Sequence, residues 1–147
     1  MARALRTTLP DGFFHVTTQA VPELRAFRTR SDGIDFLVLL GKCVRRFAWE
    51  MDTYCLMTTH YHLLVETTQE RLSEGMELLN GVYAKRFNRR HGRRGHLFAA
   101  RFGSWIPRDE AHLAATRRYI LLNPVRAGLC AAPDEWPWSG SRYGKDL

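Results

Sequence analysis

Two β-rich runs, residues 51–57 and 60–65, stand almost end to end, with only Thr58-Thr59 clearly separating them. That spacing makes an antiparallel hairpin the natural reading, although Thr-Thr is not a strong turn sequence and leaves the register open. The flanking segments change period. Upstream, Phe13-Phe14-His15-Val16-Thr17-Thr18 reads as a first strand. Ser31 is placed to cap a helix, with Asp32 and Asp35 in its first turn and Arg45 and Arg46 in its last, matching the macrodipole. Ile34, Leu37, Leu40, Val44 and Phe47 give that helix one apolar face. Downstream, a second helix is expected over about 72–90, with Met76, Leu79, Tyr83 and Phe87 on one face and Gly92 as its stop. Residues 97–106 read as a strand ended by Pro107, and residues 110–122 as a third helix stopped by Asn123-Pro124. The segment 133–143, with Trp136, Pro137 and Trp138, reads as ordered but irregular. The order β-α-β-β-α-β predicts an α+β, ferredoxin-like (split βαβ) fold: an antiparallel sheet with two helices on one face, plus a C-terminal helix and tail over about 107–147.

The 147 residues suit one domain, and 45% apolar content is enough for a real core. The longest apolar run, Phe36 to Leu40, is far short of the ~20 residues that span a bilayer. The first residues lack the apolar stretch of a signal peptide, so a cytoplasmic location with no membrane partner is expected. Cys43, Cys55 and Cys130 are scattered among apolar neighbours and read as free thiols.

Charge narrows the partner. Lys plus Arg number 22 against 15 acids, a formal +7, and only Lys42, Lys85 and Lys145 are lysines. Guanidinium groups match phosphate oxygens in a two-pronged geometry, so polyanion binding stands beside the plainer reading of an ordinary basic protein. The densest basic run is Lys85, Arg86, Arg89, Arg90, His91, Arg93, Arg94, His96 and Arg101, with Phe87, Phe98 and Phe102 interleaved and no acid between them. Cations that track phosphates and rings that stack on bases suit a single strand. A solvated helix end would look similar.

His60-Tyr61-His62 is the sharpest chemical motif. In a strand the two imidazoles share one face and can grip one ion, with Tyr61 turned away. In an arbitrary protein such a pair is more often two unrelated histidines. Tyr83 lies on an apolar helix face, where a tyrosine is ordinarily core. If that face covers the histidines, its phenol becomes a latent nucleophile beside a Lewis acid.

These residues resemble the HUH single-tyrosine transposases, and within them the REP-associated type. Phe14-His15-Val16-Thr17-Thr18 resembles the family's opening strand, and residues 54–66 its metal-binding segment. Residues 83–90 resemble its nucleophile helix. Residues 95–102, then Arg118-Tyr119-Ile120-Leu121-Leu122-Asn123-Pro124-Val125-Arg126-Ala127-Gly128-Leu129, and Trp138-Ser139, continue the likeness in order. The resemblance implies that His60 and His62 are paired ligands of Mg or Mn and that Tyr83 is the nucleophile. Tyr83 would leave a 3′-hydroxyl and stay joined to the 5′ end. It implies single-stranded DNA with hairpins as substrate, and a monomer or homodimer. A further polar ligand is implied about one turn after the tyrosine. Phe87, four residues on, cannot ligate, which leaves Asn88. Lys85, Arg86, Arg89, Arg90, Arg93, Arg94, His96, Arg101 and Arg126 are the expected DNA contacts. Thr58-Thr59 stands where the family usually carries Pro-Asn, and Gln19-Ala20 where Arg-Gly is common. A silent hairpin-binding protein and an RNA-binding domain are the alternatives, the latter with a 2′-hydroxyl preference.

Overall fold

The computed structural model describes residues 12–147. Strand β1 is Phe13–Gln19, helix α1 Arg30–Arg46, β2 Glu50–Leu56, β3 His60–Glu66, α2 Gln69–Arg90, β4 Gly103–Trp105, α3 Glu110–Arg126 and β5 Ser139–Ser141, with one 3-10 turn at Pro133–Glu135. The strands form one antiparallel sheet in the order β4-β1-β3-β2-β5. The expected α+β, ferredoxin-like arrangement is present. No helix among the described residues is long and apolar enough to cross a membrane.

Strand parity sorts the side chains into two layers. Tyr61, Leu63 and Val65 of β3 join Phe14 and Val16 of β1 beneath α1 and α2, against Phe36, Leu40, Met76, Leu79, Tyr83 and Phe87. On the other face Cys55, Met57 and Leu64 meet Ile120 of α3, with Leu113 and Trp136 at the margin. The sheet is therefore covered on both sides, by two helices on one and a single helix on the other. The β2–β3 hairpin closes tightly, Met57 N donating to His60 O at 2.8 Å, so Thr58-Thr59 suffices as its turn.

Several boundaries differ from the sequence reading. Helix α1 is capped by Thr29, not Ser31. Thr29 accepts from Asp32 N while the Asp32 carboxylate accepts from Thr29 N, a reciprocal capping box. Its buried face is carried by Phe36, Leu40 and Cys43, and Ile34 is 46% exposed. Helix α2 starts at Gln69, one residue after its Thr68 cap, and Gly92 follows it at φ +59°. Only Gly103–Trp105 of the run 97–106 is strand, with a single bridge from Phe98 to Ala20. Helix α3 does not stop at Asn123-Pro124. Pro124 lies in its last turn, where only the Ile120 carbonyl loses its partner, and Ala127 N still donates to Asn123 O at 3.0 Å. The tail is regular at its end, where β5 pairs with β2.

Candidate active site

The two faces of the sheet decide where chemistry can occur. His60 and His62 point to the α3 face, with ring centroids 5.1 Å apart. From the neighbouring β1, His15 stacks on His62 at 5.3 Å and brings its Nε2 within 3.1 Å of His62 Nδ1. His60 Nδ1 meets Thr59 Oγ1 at 3.1 Å. In the tautomer where each Nδ1–H donates to its neighbour, both Nε2 lone pairs are left for a metal ion. Burial holds His62 down to about 3, helped by His15, His60 and Arg126, and holds His15 to about 4, helped by His112. Burial also lowers His60. All three rings are thus neutral at pH 7, as ligation requires. No group of three or more His, Cys, Asp or Glu among the described residues is arranged to hold a metal. Two imidazoles alone make a weak site for a hard ion, which needs oxygen donors from elsewhere.

Tyr83 is not at this site. It sits on the sheet-facing side of α2, 0% exposed, on the opposite face of the sheet from the histidines. Its ring is packed among Phe27, Phe36, Phe87 and Phe98, and its hydroxyl donates to the Ala26 carbonyl. Burial pushes its ionisation well above the ordinary phenol range, with Asp32 and Asp35 adding to the shift against Arg90. A phenol held this way has no route to His60 or His62, so the nucleophile role expected for it is corrected. Asn88 shares the wrong side. Its amide nitrogen donates to Gly95 O at 2.9 Å and its oxygen accepts from Arg93 at 2.9 Å, so it braces the loop after α2 and does not ligate.

A different tyrosine stands at the histidines. Tyr119 of α3 is 45% exposed, with its ring 5.8 Å from His62 and 6.2 Å from His15. Arg126 lies over it at 4.4 Å and donates to the Tyr119 carbonyl at 2.7 Å. The positions 119, 123 and 126 recur at helical spacing, so Tyr119, Asn123 and Arg126 share one flank of α3. Asn123 is half-buried and its side chain has no hydrogen-bond partner among the described residues. Trp105 of β4 closes the edge of the cluster, 5.7 Å from His15. The helix is anchored by Asp109, which caps it, and by Arg117, which grips the buried Asp52 of β2 with two bonds of 2.8 Å.

The basic run divides in two. Arg86 and Arg90 are structural: they bind Asp35 and Asp32 of α1, where His91 also meets Asp32. The acids of this network lie more than fifty residues away in sequence, and they engage two of the arginines expected to contact DNA, although Arg86 keeps half of its side chain exposed. Arg93 is spent on Asn88 and the His96 carbonyl. Lys85, Arg89, Arg94, His96 and Arg101 remain exposed. Lys85, His96 and Arg101 rim a groove of about 870 Å³ between α2 and the following loop, with Phe98 and Phe102 in its wall.

Sequence reasoning missed Tyr119, Asn123 and the support from His15. The available signal was the four-residue interval from Tyr119 to Asn123, one helical turn, inside the run quoted above.

Comparison with known proteins follows the same outline. Residues 14–123 match the family model described as transposase IS200 like. No curated protein matches the sequence. Among solved structures, that of a REP-associated tyrosine transposase bound to a REP hairpin aligns with a TM-score of 0.68. The match covers 90% of this chain and 78% of that one at 16% identity, a likeness of fold.

Proposed function

The chain belongs to the IS200-like transposase family, and from that premise we propose that it cuts and rejoins single-stranded DNA at hairpins with Tyr119 as nucleophile. One observation carries this reading: Tyr119 is an exposed phenol whose ring lies 5.8 Å from the His62 ring, on the only face of the sheet that His60 and His62 share.

The residues present fit a divalent ion, Mg or Mn. His60 and His62 would hold it through their bare Nε2 atoms, and the Asn123 amide oxygen is the candidate third protein donor. When bound, the ion polarises the scissile phosphate and stabilises the departing oxygen. The chain's own residues do the rest. The Tyr119 oxygen attacks phosphorus and loses its proton to solvent. The bond from phosphorus to the 3′ oxygen breaks, and that oxygen leaves as a 3′-hydroxyl after taking up a proton. The 5′ end stays on Tyr119 as a phosphotyrosine diester. Attack by another 3′-hydroxyl reverses the sequence and frees the phenol. Arg126 keeps a fixed positive charge beside the ring and the developing phosphorane. His15 orients His62. Lys85, His96 and Arg101 supply phosphate contacts along the outer groove, and the exposed Arg89 and Arg94 add further cations.

Labelled single-stranded DNA carrying an imperfect hairpin tests the reading. Incubation with Mn²⁺ should yield a covalent protein–DNA adduct that chelator prevents and that Tyr119→Phe lacks. An adduct that survives Tyr119→Phe removes this tyrosine from the reaction. Binding without any adduct leaves a silent hairpin-binding protein, the reading that would then replace this one.

A further inference from the structure

We propose that the cleft between the β1–α1 loop and the C-terminal tail holds one nucleotide of single-stranded DNA, with its base on Trp138 and its phosphates on Arg28 and Arg30. This rests on the nuclease reading above and adds a subsite to it.

The cleft has a volume of about 290 Å³, at the small end of the ~300–1,000 Å³ usual for ligand pockets, which suits a single nucleotide. Its walls are cationic and aromatic, with Arg28 and Arg30 on one side and Trp136 and Trp138 on the other, and no acid lines it. Arg28 and Arg30 are exposed and form no ion pair among the described residues, unlike Arg86 and Arg90. Trp138 is seated so closely on α1 that a Cβ at Gly33 would come within 2.6 Å of its ring, which forbids a larger residue there. Arg30 lies loosely over the same indole at 5.9 Å. A base stacking on Trp138 gains a fixed platform, and Arg30, moved from the ring, reaches the adjoining phosphate.

Both walls are pinned. Phe27 N donates to Thr58 O at 3.2 Å, and Leu56 N donates to Trp138 O at 2.8 Å. Trp136 Nε1 is committed to Leu56 O at 2.9 Å, whereas Trp138 Nε1 has no partner among the described residues and is free for a base edge. The cleft is also close to the histidines along the chain. Thr58 lines it, and His60 follows two residues later out of the same turn. A strand whose phosphate lies at the histidines can therefore place a neighbouring nucleotide here.

The test uses the full chain and a twelve-residue oligo-dT carrying one 5-iodouracil, a photo-crosslinker that reacts with stacked aromatics. Irradiation should attach it to Trp138, or to Trp136 across the cleft. Cross-links found only elsewhere overturn the proposal. The variant Arg28→Ala/Arg30→Ala, at exposed positions, should weaken oligo-dT binding about 10- to 30-fold at 0.1 M salt and lower the log–log salt slope by about 1.4, the loss of two single-strand phosphate contacts. Unchanged affinity and slope overturn it as well. The two readings fail separately. Normal metal-dependent adduct with no cross-link at either tryptophan removes the cleft and leaves the nuclease. Cross-linking at Trp138 with no adduct in any condition keeps the cleft as a strand-binding site and removes the nuclease.

Discussion

Removing one hydroxyl from each of two tyrosines should have opposite consequences. Tyr83→Phe deletes the donor to the Ala26 carbonyl inside a shell of aromatic rings where no water replaces it. An unsatisfied buried acceptor costs about 1–3 kcal/mol. The ring's apolar contacts survive the change, so the lower half of that range, about 1–2 kcal/mol, is expected. For a chain of this size each kcal/mol lowers Tm by roughly 2–4 °C, so the shift is about 2–8 °C. Because Tyr83 faces away from the histidines, the variant should still form the DNA adduct at temperatures where it is folded. Tyr119→Phe is the mirror case. Its side chain is exposed and its hydroxyl has no hydrogen-bond partner among the described residues, so stability should change by less than about 0.5 kcal/mol. Adduct formation should vanish. Thermal melts by circular dichroism and a denaturing-gel adduct assay on the same samples read both effects. A Tyr83→Phe protein that melts normally but forms no adduct, beside a Tyr119→Phe protein that still forms it, would falsify the assignment of roles.

Other outcomes follow from the same geometry. His60→Ala and His62→Ala should each abolish cutting while leaving hairpin affinity within about threefold by fluorescence anisotropy; a large loss of binding would make the histidines DNA contacts instead. The two classes of arginine should separate. Arg94→Ala and Arg101→Ala should reduce the salt slope of DNA binding by about 0.7 each without altering the melt, whereas Arg90→Ala should destabilise the fold by about 1–3 kcal/mol, because Asp32 keeps His91 and backbone donors but loses its guanidinium; identical melts for all three refute the division. Acid should loosen the α1–α2 contact. Burial alone would raise Asp32 and Asp35, but hydrogen bonds from His91, Arg90 and Arg86 hold both carboxyls below their ordinary range. Their stabilisation is complete above the unfolded carboxyl value of ~3.9 and is lost as pH falls through the depressed folded values. Urea midpoints should thus fall from pH 5 to pH 3 more steeply in the wild type than in Asp32→Asn/Asp35→Asn, and equal slopes contradict the network.

The frame of the fold was legible because its main segments carry one period each. The β-rich run at residues 60–65 and the helical recurrence of Met76, Leu79, Tyr83 and Phe87 read directly as β3 and the inner face of α2. The histidine pair was legible for the same reason, since period two puts both rings on one side. Period alone does not say which helix covers which face of a sheet with two buried faces. The apolar neighbours of Tyr83 make it core in either arrangement, and only the three-dimensional packing shows that α3, not α2, lies over the histidines. Helix α3 hid its role because its buried face, Thr116, Ile120, Leu121 and Pro124, includes a threonine and a proline while Leu113, Leu122 and Val125 are only half-buried, so no apolar stripe stands out in the sequence. The ion pairs of Arg86 and Arg90 were not legible in the basic run because their acids lie on α1, far off in sequence. Residues 97–106 read as strand because they are aromatic, yet Leu97 and Phe98 turn back into the core instead of extending the sheet.

Mass spectrometry of the trapped adduct addresses the nucleophile without mutation. After digestion with protease and nuclease, the nucleotide-bearing peptide should contain residues 118–126, with the added mass on the Tyr119 phenol and linked through a 5′ phosphate. The same mass on a peptide containing Tyr83, or on no tyrosine at all, would contradict the convergence of α3 and the histidines on one phosphate.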